Sequence, residues 1–184
     1  MSTGLSTIAE RFFDRYAYPD WLRAHSRLVG AIGAALAGAR IAAGDRVDVE
    51  AVTLAAFLHD IGRSPLVKGD PREHNELSAL ILAAEGLPNC VEPARRHAIY
   101  TVLDPATAPR TLEEKLVYIA DRRGGMRIES LDERAKETAA RHPRFTTEIA
   151  RAVPMAIAIE REVFRGLAFT AAELADHVTL PTVR

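Results

Sequence analysis

The chain is 184 residues long, 48% hydrophobic and 27% charged, which is enough apolar material in one chain to build a buried core. Lys and Arg number 24 against 25 Asp and Glu, with no basic block, so the electrostatic footprint of a strong nucleic-acid binder is missing. The single cysteine, Cys90, excludes an internal disulfide and a thiolate-cluster metal site, and is expected to be a small buried residue.

The N-terminal stretch MSTGLSTIAERFFDRY lacks the basic-then-apolar layout of a signal peptide. The longest uncharged run, 28–39, is rich in Gly and Ala and too short to cross a bilayer. The expectation is a cytoplasmic protein with no membrane partner.

Apolar residues recur at helical spacing almost throughout, and strand-like alternation is scarce. Helices are expected over 5–16, 19–42, 48–60, 71–85, 90–102, 111–122, 131–141, 145–167 and 170–178. The fold class is therefore all-α. A single domain is expected, with its motif-bearing core over about 20–130 and C-terminal helices over about 131–178 packing on it.

In chain order, the second helix carries His25 in the stripe Leu22, Val29, Ile32, Leu36, and Trp21 beside it is expected in the core. The third reads LAAFL before it breaks into His59-Asp60, with Val52, Ala55, Ala56 and Phe57 as its apolar residues. A loop follows, with Arg63 and Lys68 in it, and Gly62 lets the chain turn away closely. Asp70-Pro71-Arg72-Glu73 has the order of an N-cap, a first-turn proline and a capping-box glutamate, and Gly86 suits the closing position of that helix. His74 lies there with Leu77, Ile81 and Ala84, and His97 shares a face with Cys90, Ala94 and Thr101.

The run LEEKLVYIAD ends on Asp121, with Val117 and Ala120 on its side. Lys115 falls on another face, and Glu113 and Glu114 suit the helix start. Arg127 follows in DRRGGMR, His142-Pro143 breaks the chain, and Thr170 to Glu173 forms another capping box.

A lone histidine on an apolar stripe is most often a hydrogen-bonded core residue. Here four helices each offer one, and two carboxylates come with them. A buried carboxylate is costly unless it is paired or metal-bound. Six such groups, His25, His59, Asp60, His74, His97 and Asp121, would satisfy one another best around one or two divalent transition metals, with Fe, Mn, Zn, Co and Ni all compatible.

The order His25, His59-Asp60 within HDIG, His74, His97, Asp121 resembles the binuclear form of the HD superfamily of metal-dependent phosphohydrolases. The segments EKLVYIAD and HNELSALIL look similar to small stand-alone HDIG proteins, among them HD-type diadenosine tetraphosphate hydrolases. The chain departs from HDxxK members at Arg63 and lacks the GYP signature of cyclic-di-GMP phosphodiesterases.

The resemblance implies one metal on His25, His59, Asp60 and Asp121, and a second on His74, His97 and a bridging Asp60. It also implies hydrolysis of a nucleotide or another small phosphorylated metabolite by a metal-activated water. Asp60 and Arg63 would be catalytic. Arg63 would also bind substrate phosphate, with Lys68 and Arg127 as further candidate cations. No stable nucleic-acid partner is expected, and a homodimer is one use of the C-terminal helices. Two other readings stay open, a di-iron HD-type oxygenase and a non-catalytic metal- or nucleotide-binding sensor module.

Overall fold

Helix α3 (Val49–Leu58) is central because its sequence leaves almost no polar face: every residue over 51–58 is buried. The computed structural model describes residues 2–180. Around α3 pack α1 (Ser2–Arg15), α2 (Asp20–Ala42), α5 (Pro88–Arg95) and α6 (Leu112–Arg123). Helix α4 (His74–Ala84) packs on α5, while α7 (Leu131–Arg141) and α8 (Thr146–Phe164) lie against each other and against α6. Short 3-10 turns connect several of these helices. Among the described residues the chain is all-α, with one isolated antiparallel bridge between Gly124 and Ile128. None of the described helices is long and apolar enough to cross a membrane.

The Gly/Ala-rich run of α2 has a packing role. A Cβ on Gly30 would overlap the Phe57 ring, and one on Gly33 would stand 2.6 Å from Ala56 Cβ. Small residues thus bring α2 onto α3, which carries His25 toward the end of α3. The expected stripe holds: Leu22, Val29, Ile32 and Leu36 are fully buried. Trp21 is not in the core as expected but 59% exposed, because it precedes Leu22 by one residue and so turns about 100° away from the stripe. Cys90 is buried as expected, and burial pushes its thiol up to about 12.

Two boundaries differ from expectation. The Asp70 carboxylate accepts from the backbone N–H of Arg72 (3.0 Å) and from its guanidinium (2.8 Å), closing a local turn instead of capping a helix. Glu73 becomes the N-cap, and α4 starts at His74. The helix expected over 90–102 stops at Arg95 and resumes as a 3-10 turn over Ile99–Leu103, which leaves His97 in the break. Both changes put a histidine at a helix end, where its ring can reach past the helix. Gly86 closes α4 with φ +75°, and the Thr170/Glu173 capping box forms at a 3-10 turn, Ala171–His177.

The C-terminal helices are tied down by ion pairs. Lys115 bonds Glu162 of α8 at 2.6 Å, and Arg123 reaches Glu160 (3.2 Å) and the Ala171 carbonyl (2.5 Å).

Candidate metal centre

The end of α3 lies inside the bundle, so the residues that follow it are buried whatever their polarity. His59 is fully buried and Asp60 is 6% exposed. Last-turn carbonyls of a helix lack intrahelical donors. His59 folds back and donates from Nδ1 to the Ala56 carbonyl at 2.8 Å. His97 does the same at the end of α5, donating from Nδ1 to the Ala94 carbonyl at 2.5 Å. Each bond fixes the tautomer and leaves the Nε2 lone pair pointing into the interior.

The six residues come together from five helices and divide into two halves that share Asp60. In the first half, His25 Nε2 stands 3.1 Å from His59 Nε2, 3.3 Å from Asp121 Oδ1 and 3.8 Å from Asp60 Oδ2. His59 Nε2 is 3.7 Å from both of those oxygens. In the second half, His74 Nε2 and His97 Nε2 are 3.2 Å apart, each 3.4 Å from Asp60 Oδ1. The two oxygens of Asp60 therefore face different halves.

These separations test whether metal fits. Donors about 2.1 Å from one cation in a tetrahedral shell stand about 3.4 Å apart. The observed distances, 3.1 to 3.8 Å, bracket that value. The lone pairs argue the same way. Burial pushes His59 down to about 4 and His74 down to about 3, so both imidazoles are neutral at pH 7. The Nε2 lone pairs of His59 and His97, fixed by their Nδ1 bonds, each face a second imidazole nitrogen and a carboxylate oxygen, a set of donor atoms that a cation between them would satisfy.

The carboxylates are kept ionised. Burial pushes Asp60 up, but Arg63 and His59, with His97 and His74, outweigh it and hold the carboxyl well below the usual range. For Asp121, burial is outweighed by Arg122, His25 and His59 in the same direction. Arg122 was not singled out by the sequence. It is buried, bonds Asp121 Oδ2 from behind, and rests its guanidinium 5.8 Å from the centre of the Tyr118 ring. The signal for it is the run over 116–120, buried on all sides, which forces the next residues inward and obliges an arginine there to find a carboxylate.

Arg63 lies at the cluster too. Its Nε donates to Asp60 Oδ1 at 2.8 Å and a terminal nitrogen lies 3.0 Å from His74 Nε2. Lys68 and Arg127 are both exposed, with no side-chain hydrogen bond or ion pair to the cluster among the described residues. The other histidines serve elsewhere: His142 is exposed at the end of α7, and His177 stacks on Phe169 at 3.9 Å.

Arg122→Lys is expected to weaken metal binding by about tenfold, since lysine keeps the charge but lacks the fork that fixes Asp121. Isothermal titration of the chelator-treated protein measures it. The buried imidazoles also set a pH dependence. His59 titrates near 6.5 in the unfolded chain and at about 4 when folded, so acid protonates the unfolded chain first. Its contribution is complete above pH 6.5 and is lost as pH falls toward 4. Urea unfolding of the chelator-treated protein should show stability falling from pH 7 to pH 5, with His74, depressed in the same direction, adding to the loss from His59.

This all-α bundle gathers two buried and two half-buried imidazoles and two buried carboxylates into adjoining donor sets able to hold metal, the class of helical protein with an interior metal-type site. The chain belongs to the HD domain family, whose family model matches residues 22–126. All six clustered residues fall in that span. HD domains bind divalent metals, and the family consists mostly of metal-dependent phosphohydrolases. No curated protein and no solved structure matches the chain.

Proposed function

We propose that the protein is a metal-dependent phosphohydrolase acting on a nucleotide or another small phosphorylated metabolite. The observation that carries this reading is the charge balance at the cluster. Asp60 and Asp121 are already offset by Arg63 and Arg122. Each divalent cation held there adds positive charge that no remaining side chain of the cluster cancels, which favours an anionic substrate.

His25, His59, Asp60 and Asp121 would hold one cation, and His74, His97 and Asp60 the other. Cations so held would supply a water molecule of lowered pKa and positive charge to offset phosphoryl oxygens. Asp60 works by its charge. Its carboxyl lies too far below the usual range to take a proton well, so it orients ligands and binds cations. Arg63, with a side chain 40% exposed, would receive a phosphate on its planar fork. Lys68 and Arg127 are proposed to meet distal phosphates of a longer substrate, from outside the cluster.

The test is metal analysis of protein purified without added metal, followed by a phosphate-release screen over mono-, di- and dinucleotides. One to two transition metals per chain and metal-dependent release are expected, both lost in His59→Ala. Absence of metal, with His59→Ala leaving metal affinity and stability unchanged, would overturn the metal centre. Turnover that consumes dioxygen and shows a mixed-valent iron signal would replace hydrolysis by oxidation.

A further inference from the structure

Each carboxylate of the cluster carries one arginine, but the two arginines stand on different sides of their partners. Arg122 holds Asp121 through Oδ2, while the histidines of the first half meet Oδ1. It is buried, its side chain 9% exposed, and it backs the ligand without touching the donor atoms of either half. Arg63 is arranged differently. Its two contacts, Asp60 Oδ1 at 2.8 Å and His74 Nε2 at 3.0 Å, are two of the three donor atoms of the second half. The third, His97 Nε2, is 3.4 Å from the same Oδ1. No guanidinium contacts Nε2 of His25 or His59, Oδ2 of Asp60 or Oδ1 of Asp121 in the described hydrogen bonds.

Competition follows from lone-pair counts. A neutral imidazole has one acceptor nitrogen with one lone pair. His74 Nε2 can accept from Arg63 or bind a cation, and it cannot do both. The carboxylate oxygen has room for two partners, but a guanidinium and a divalent cation on one oxygen repel at short range. Arg63 is more exposed than Arg122 and can swing out without opening the core.

We infer that Arg63 is a built-in competitor for the second metal position, and that a phosphate group relieves the competition by drawing the guanidinium away. The inference rests on the metal-centre reading above. A phosphate that takes the Arg63 fork frees Asp60 Oδ1 and His74 Nε2 together. The first half fills with metal without displacing any side chain, while the second fills readily only when an anion holds Arg63. Linkage makes the effect reciprocal: metal in the second half raises the affinity for phosphate by the same factor. The arrangement would complete the two-metal centre when the substrate's own phosphate is present.

The experiment is a Mn²⁺ titration of the chelator-treated full chain, followed by the electron paramagnetic resonance signal of free Mn²⁺ and by calorimetry, with and without submillimolar inorganic phosphate. Wild type is compared with Arg63→Met and Arg63→Gln, two neutral variants of a half-exposed residue. Wild type is expected to bind two Mn²⁺ unequally, with phosphate tightening the weaker by roughly ten- to a hundredfold, the worth of one or two hydrogen bonds to charged groups. Both variants should bind the second Mn²⁺ more tightly by a similar factor without phosphate, and phosphate should then add little.

Two equal affinities in wild type, indifferent to phosphate, would leave the metal centre standing and overturn the role of Arg63. So would a second affinity unchanged or weaker in both variants, or a phosphate effect that survives in both. No Mn²⁺ bound by any form, with His59→Ala also without effect, would remove the metal centre and this inference with it.

Discussion

Asp60→Asn is expected to disable both halves of the cluster at once. The reason is geometric: Oδ2 faces His25 and His59 while Oδ1 faces His74 and His97. An amide keeps the shape but loses the negative charge, and its nitrogen turns two hydrogens toward one half. A divalent metal contributes several kcal/mol to a phosphoryl-transfer barrier. At 1.36 kcal/mol per decade the loss of activity should be on the order of 10³-fold or more. Metal content provides a readout independent of activity. His25→Ala and His74→Ala should each spare one half, whereas Asp60→Asn should spare neither. Thermal unfolding gives a third measurement. Metal at about a hundred to a thousand times its dissociation constant adds about 3–4 kcal/mol, which raises the wild-type midpoint by roughly 10 °C. That rise should be nearly absent in Asp60→Asn. A variant that still bound two metals tightly would show that Asp60 does not bridge.

The six cluster residues were legible because each sits on or beside an apolar helical stripe, and polar groups on such stripes must answer for their burial. His25 shows the principle: its neighbours Leu22, Val29, Ile32 and Leu36 are all fully buried. What sequence could not resolve lies at helix ends, where local side-chain bonds compete with the helix. Asp70 forms a turn with Arg72, so α4 starts at His74 rather than at Pro71. The break after Arg95 frees His97 to bond the Ala94 carbonyl. An Arg-Arg pair has no stripe pattern of its own, and only the buried run before it puts Arg122 behind Asp121. Trp21 stands one step of helical rotation away from the buried stripe. The positions of Lys68 and Arg127 depend on loop backbone, for which periodicity carries no information.

Gly62 carries the second large effect, because it is where two segments that bear cluster residues touch. Its backbone N–H donates to Ser78 Oγ at 2.9 Å, and that hydroxyl donates to the His74 carbonyl at 2.9 Å. A Cβ at Gly62 would overlap the His74 carbonyl oxygen and stand 2.8 Å from both Leu77 Cβ and the Ser78 nitrogen. Two of these atoms are backbone and cannot rotate aside, so the start of α4 must move away from the chain after Asp60. Overpacking of this kind costs about 3 kcal/mol, or roughly 6–12 °C of melting temperature in a chain of this size. The displacement also has a direction. It moves His74 away from Asp60 Oδ1 while leaving His25 on α2, His59 at the end of α3 and Asp121 on α6 where they were. Gly62→Ala should therefore lose metal from the second half first, retaining close to one metal per chain at concentrations that load two on wild type. Calorimetric titration beside thermal melts separates this from general unfolding. If both halves weakened in parallel with the fall in stability, Gly62 would be a packing residue only. Selective loss of the second metal would mark it as the spacer that sets the separation of the two halves.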